Sequence, residues 1–287
     1  MRLLISAIFI VLASIFPLSS YLLSLSFFGA AHIFYELSYI YKHLGSRLPQ
    51  AFIIIVMSIL FFLLLIKTIA IFLPINYLLI IEISFALALV AVALYFKTHP
   101  ITLLVLLVFA IGIIINPVIL FLCLAFLHNL TPWGFLLVEQ AASKAWLIFV
   151  VSPVIVFGLS LVIVIDPGFY SITQANSYLS HYLVPHGINT LTIAFFATAV
   201  YLQLIHYYYV IKVLPKFCKT PIKMNIGFIS LFLLLGMGFL YDFHESKKFY
   251  SLIAMFHAYL EIPLLLYLLP PRNTDPLLKK IILEKRE

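Results

Sequence analysis

The sequence predicts an all-α fold: a polytopic integral membrane helical bundle of about nine transmembrane helices, eight to nine depending on one junction. Three observations carry this expectation. Of the 287 residues, 65% are hydrophobic and 9% are charged, with a mean hydropathy of +1.19, whereas a soluble domain carries about 25% charged residues. Apolar runs follow one another almost end to end, and about 20 such residues, rising ~1.5 Å each, cross a ~30 Å hydrocarbon core. The Lys and Arg residues fall in short loops and the tail rather than within those runs.

The first span is expected over 3–28. Arg2, the apolar run 3–13 and the small residues after it have the layout of a signal peptide, but apolar sequence continues past Pro17 to Phe28, which favours a retained helix. Spans follow near 51–66 and 70–96. The runs 101–115 and 118–138 flank Asn116-Pro117, where proline removes a backbone donor; one kinked helix over 101–130 gives eight spans, and a turn there gives nine. The last four spans are expected over 145–165, 189–211, 225–241 and 250–270.

Charge arbitrates between the two counts, because Lys and Arg accumulate on the cytoplasmic side of short loops. With Lys67 set aside at a span boundary, nine spans put 13 basic residues on one face and 3 on the other, namely Arg2, Lys247 and Lys248. Eight spans give 11 to 5. Nine spans are therefore expected, with the amino terminus outside and the carboxyl terminus in the cytoplasm, in a plasma (inner) membrane. The chain reads as a single transmembrane domain over 1–287, with an external polar loop at 166–188 that lacks Lys and Arg and a cytoplasmic basic tail at 271–287. This placement also explains the net charge of +7 without nucleic acid, which is excluded as a partner; membrane lipid is the expected surroundings.

Two cysteines, Cys123 and Cys218, make neither a disulfide framework nor a metal cluster. The histidines are more informative. His43, His99, His181, His186 and His244 fall in loops or at span ends, where water solvates them. His32, His128, His206 and His257 lie within or at the inner ends of apolar segments on four separate spans, where every ionisable group is costly. Two of them have a carboxylate at i+4, Glu36 in GAAHIFYE and Glu261 in HAYLE, which a helix puts on the same face.

Neutral imidazole with carboxylate suits iron, manganese or zinc better than copper(I). His32, His128, His206 and His257 are thus candidate metal ligands. Glu36 and Glu261 are candidate catalytic residues, binding the metal or accepting the second imidazole N–H to fix a tautomer. Tyr35, Tyr39, Tyr207, Tyr208, Tyr209 and Tyr259, with Asn129, Thr131 and Trp133 after His128, stand ready to line a pocket or to anchor at the interface. Glu82, near the middle of its span, has no local partner, and Glu139 is expected to be solvated at a cytoplasmic span end.

This arrangement resembles the Brp/Blh family of membrane-bound carotenoid (β-carotene) cleavage dioxygenases. That family is similar in having an apolar first span that runs into Gly-x-x-His-x-x-x-Asp, further histidine-bearing spans, and a late span with His followed closely by an acid. Here FFGAAHIFYE supplies Gly29, His32 and Glu36, LHNLTPW supplies His128, and the late element is His257 with Glu261. Two positions depart from the family pattern. Glu36 stands where the family has Asp, and a His-x-x-x-His element has no counterpart, because Val210 follows His206 at that spacing. The resemblance implies iron(II) held by neutral histidines, dioxygen activated at an open coordination position, and a carotenoid, isoprenoid or lipid chain entering from the membrane.

The expected function is therefore a non-haem metal oxygenase acting on a membrane-dissolved apolar small molecule, with iron(II) or another divalent metal as cofactor. A transporter or channel using intramembrane His and Glu for proton or metal-ion passage is a competing reading. So are a haem protein with two axial histidines and a structural protein in which polar pairs set helix packing.

Overall fold

The computed structural model describes residues 1–73, 75–164 and 189–269. The external loop expected at 166–188, with His181 and His186, and the basic tail at 271–287 lie outside the described residues. All regular structure among the described residues is helical. In chain order the helices are α1 (Arg2–Ile15), α2 (Pro17–Tyr39), α3 (Gln50–Phe72), α4 (Leu78–Phe96), α5 (Pro100–Ile115) and α6 (Pro117–Asn129), followed by α7 (Thr131–Val138), α8 (Ser152–Ser160), α9 (Thr190–Tyr208), α10 (Ile226–Tyr241) and α11 (Phe243–Leu268).

Local chemistry sets the boundaries. Proline opens α2, α5 and α6, where its missing N–H is no loss. Asn116 ends α5 and caps α6, its Oδ1 accepting from the Val118 and Ile119 N–H groups at 3.0 and 3.1 Å. The chain folds back there: the Leu120 side chain lies against Gly112 on the far side of the break. α5 and α6 are therefore separate helices. Asn189 and Thr192 form a capping box on α9, and Asn225 and Asp242 cap α10 and α11.

Among the described residues, five helical stretches are long and apolar enough to cross a membrane: 17–47, α3, α4, 190–217 and α11. α6 and α7, bent by 47° at Leu130, together make a sixth. Shorter apolar helices are α1, α5, 147–160 and α10. These features are compatible with an integral membrane protein. The boundaries differ from expectation in several places: α11 starts at Phe243 rather than near 250, which takes Lys247 and Lys248 into the helix, the span expected over 118–138 breaks at Leu130, and two differences fall in the first half of the chain. The run 3–28 breaks at Phe16, after which α2 carries on well beyond Phe28. α3 extends to Phe72, which brings Lys67 inside a helix rather than between two. The break at Phe16 is what Pro17 imposes on the residue before it, whereas α3 runs on through Lys67 because a single Lys does not interrupt backbone hydrogen bonding.

Hydropathy and burial run in opposite senses. α3 and α4 are the most apolar, with mean hydropathies of 2.8 and 2.5, and only 22% and 33% of their most apolar stretches are buried. The stretches 17–47 and 190–217, at 1.2 and 1.3, are 56% and 67% buried. Lipid is as apolar as leucine, so the greasiest helices can stand at the periphery while the polar ones need protein neighbours. α2, α9, α6 and α11 accordingly form a closed ring, each packed on the next, with α1 and α8 against α9, α10 against α2, and α4 against both α6 and α11. Both α2 and α9 end by loosening into a π turn, Ile40–Leu44 and Tyr209–Val213, and then tightening into a 3₁₀ turn.

Candidate metal centre

Each of the four ring helices contributes one histidine: His32 from α2, His128 from α6, His206 from α9 and His257 from α11. One ligand atom from each lies within 4.8 Å of all the others. His32, His206 and His257 are at most 1% exposed, and His128 is partly buried. Glu36 and Glu261, both 0% exposed, form a second group with His257 within the same limit.

Hydrogen bonds assign the tautomers. His32 Nδ1 faces the Phe28 carbonyl at 3.3 Å, and His257 Nδ1 faces the Ile253 carbonyl at 3.2 Å. A carbonyl only accepts, so the proton of each neutral ring sits on Nδ1, leaving Nε2 with a lone pair. These two Nε2 atoms stand 3.2 Å apart. Two lone pairs at that distance repel unless a cation or a proton lies between them. Ligands at about 2.1 Å from one ion, at tetrahedral or octahedral angles, are separated by roughly 3.0–3.4 Å. The spacing therefore fits a shared metal.

The carboxylates pair across the ring rather than along their own helices. His128 Nδ1 donates to Glu261 Oε2 at 2.9 Å, which leaves the His128 Nε2 lone pair for a ligand. Glu36 Oε2 stands 3.4 Å from His206 Nε2 and 3.9 Å from His257 Nε2. The local pairs expected from the i+4 spacing are not the ones that interact, because His32 and His257 spend their Nδ1–H on the carbonyl one turn back. Each acid is thereby released toward a histidine of another helix.

Five atoms of the group have no hydrogen-bond partner: both oxygens of Glu36, Oε1 of Glu261 and both ring nitrogens of His206. Leaving such a group unsatisfied costs about 1–3 kcal/mol, and more if it is charged. A divalent cation bound by one nitrogen of His206 and by a carboxylate oxygen would answer part of that deficit, so the residues present fit a metal.

A cavity of about 250 Å³ opens beside the cluster, with His32, His128 and His257 in its wall and His206 behind them. Of the aromatic candidates, Tyr207 stacks on His32 at 4.1 Å between ring centroids and lines the cavity, as do Tyr259 and Asn129. Thr131 donates to the His128 carbonyl at 2.7 Å. Tyr35, Tyr39, Tyr208, Tyr209 and Trp133 pack against other rings, outside the cavity wall.

Glu82 proves to have a partner that the sequence reading missed. Lys67 Nζ lies 2.5 Å from its Oε1, and both residues line the cavity. Lys67 stands five residues before the end of α3 and Glu82 four after the start of α4, so the near-symmetry of a helical hairpin is the signal that could have found the pair. Glu139 is likewise paired rather than simply solvated, with Arg47 at 2.7 Å and His43 at 3.1 Å. His99 caps α5. Cys123 and Cys218 are free thiols, and burial pushes the Cys218 thiol up, away from the reactive thiolate.

No family model, curated protein or solved structure matches the chain.

Proposed function

We propose that the chain is a multi-pass membrane enzyme in which His32, His128, His206 and His257 hold a divalent metal, iron(II) in the first instance, to oxidise a membrane-dissolved apolar substrate. The observation that carries this reading is the convergence of four histidines from four different helices on one buried point. Four isolated glue contacts would have no reason to coincide. The resemblance to the Brp/Blh carotenoid dioxygenases supplies the choice of reaction, and the donor set of neutral imidazole and carboxylate agrees with iron.

In this reading the chain does three things. The Phe28 and Ile253 carbonyls and the Glu261 carboxylate hold the Nδ1–H groups, so that the Nε2 lone pairs of His32, His257 and His128 point inward. Glu36 completes the donor set or holds His206. The apolar part of the cavity wall, Leu25, Phe121, Leu124 and Met255 among it, suits a lipid-like chain. Iron(II) bound there would supply the activation of dioxygen that a polypeptide lacks.

The finer topology belongs to the same proposal. Nine crossings follow if α5, 147–160 and α10 span together with the five long stretches and the bent α6–α7 pair, α1 packing as a partial segment. The charge asymmetry supports loops 42–47 and 212–223 on the cytoplasmic side. Arg2 stands 5.9 Å from the centroid of the Tyr209 ring, beside Lys212 at that same end, which favours an amino terminus on the cytoplasmic side rather than the expected outside. Three contacts support the arrangement by joining residues assigned to the cytoplasmic side: Arg47 with Glu139, Lys97 with the Tyr267 and Leu269 carbonyls, and Lys42 with the Pro221 carbonyl.

Elemental analysis of the purified protein tests the metal, alongside a His32→Ala/His257→Ala double variant that remains folded. About one equivalent of iron, lost in the variant, is the expected result. Equal metal in both preparations, or none in either after reconstitution, refutes the proposal. The transporter reading rests on the Lys67–Glu82 pair as a second polar step; proton or metal flux in proteoliposomes would favour it.

A further inference from the structure

We propose that the cavity beside the histidine cluster takes a long-chain amphiphile whose anionic head group, a carboxylate or a phosphate, is held by Lys247 at the cavity's outer end. This rests on the metal-centre reading for what happens to the chain, but not for the head-group site itself.

The cavity wall follows α11 from Lys247 through Ser251, Ala254 and Ala258 to Ile262, fifteen residues or about 22 Å of helix. Small side chains along this stripe leave a slot, and Leu25, Phe121, Leu124 and Met255 give it apolar walls. His257 lies ten residues from Lys247 on the same helix, roughly 15 Å along its axis. The slot thus connects one cation to the histidines through apolar surface.

Lys247 is the cation in that wall without an acid. Lys67 is neutralised by Glu82, and Lys248 next door takes Glu245 at 2.5 Å. Asp242 is engaged in capping α11. Among the described residues no carboxylate pairs with Lys247, whose ammonium stands 5.5 Å from the centroid of the Phe243 ring. An ammonium facing a low-dielectric slot favours an anion there. A pure hydrocarbon filling the slot would strip water from Lys247 and return nothing. An amphiphile matches both ends, its charge on Lys247 and its chain toward the histidines.

The test is binding of the fluorescent polyene cis-parinaric acid and of its methyl ester to the purified protein in nanodiscs, corrected for empty discs. The acid is expected to bind at least about tenfold tighter than the ester, as a charge-assisted contact requires. Lys247→Gln is expected to bring that ratio close to one, and Lys247→Arg to preserve it. Ala258→Phe, which fills the slot, is expected to abolish saturable binding of both probes. Displacement by dodecyl phosphate rather than laurate identifies a phosphate head; the reverse identifies a carboxylate.

Equal affinities for acid and ester in the unaltered protein, or a ratio unchanged by Lys247→Gln, overturn the proposal. Because it is a ratio, partial unfolding of a variant does not disturb it. Metal content measured on the same samples separates the two readings. A ratio that persists in His32→Ala/His257→Ala leaves the head-group site standing without the metal, and retained metal with a ratio of one removes the head-group site alone.

Discussion

Replacing Glu82 by Leu should destabilise the protein by about 3 kcal/mol, and adding Lys67→Met should recover most of the loss. The Lys67–Glu82 contact is 2.5 Å long, with side chains 17% and 6% exposed. At an effective dielectric of ~20 its gross attraction is about 7 kcal/mol, which desolvation of the two ends largely offsets. The intact pair therefore contributes little net stability, whereas one charge left alone costs about 3–5 kcal/mol. Lys67 borders the cavity, where water relieves part of that cost, so the lower end of the range applies. The assay is reversible unfolding in mixed micelles for Glu82→Leu, Lys67→Met and the double variant. The coupling energy should exceed 2 kcal/mol by a rough count, well above the ~0.6 kcal/mol average for hydrogen bonds between membrane helices. Single variants that each cost under about 0.5 kcal/mol, or losses that simply add, would refute the argument that the pair is desolvated.

Two further perturbations probe the ring and the site. A Cβ added to Gly236 would fall 2.2 Å from the Ser26 carbonyl oxygen, so Gly236→Ala must push α10 away from α2; a loss of about 1–3 kcal/mol in the same unfolding assay is expected, with metal content unchanged in the folded fraction. Glu261→Gln keeps the shape but removes the charge that holds the His128 Nδ1–H, and should weaken metal binding about tenfold in a chelator competition; unchanged affinity would mean that Glu261 does not orient His128.

What could be read from the sequence divides along a physical line. Costly groups announce themselves: a histidine in an apolar run needs a reason, and counting such runs was enough to pick out His32, His128, His206 and His257, the four that converge. Pairing did not announce itself. The i+4 rule places Glu36 below His32 and Glu261 below His257, but it knows nothing of the backbone carbonyl at i−4, which competes for the same imidazole N–H and takes it. Once those protons are committed, the acids are free to reach across, and a set of local pairs becomes one network linking four helices.

The same competition bears on the chemistry. Had each Glu bound its own histidine, His32 with Glu36 and His257 with Glu261 would have been two polar sites satisfied within a turn of helix, and neither pair would have required its span to meet another. Because the local partner of His32 and His257 is a carbonyl, which can satisfy Nδ1 but never Nε2, each of these two rings keeps a lone pair that hydrocarbon cannot accommodate. Only another helix or a cation can answer it. The spans are thus drawn together by groups that remain incompletely paired even when they meet: Glu36 and His206 have no hydrogen-bond partner although both are fully buried. A ring built solely for packing would be expected to complete those bonds, since each one left open costs about 1–3 kcal/mol. That residual deficit, at the point where the four helices converge, is the strongest physical argument for a metal at that point.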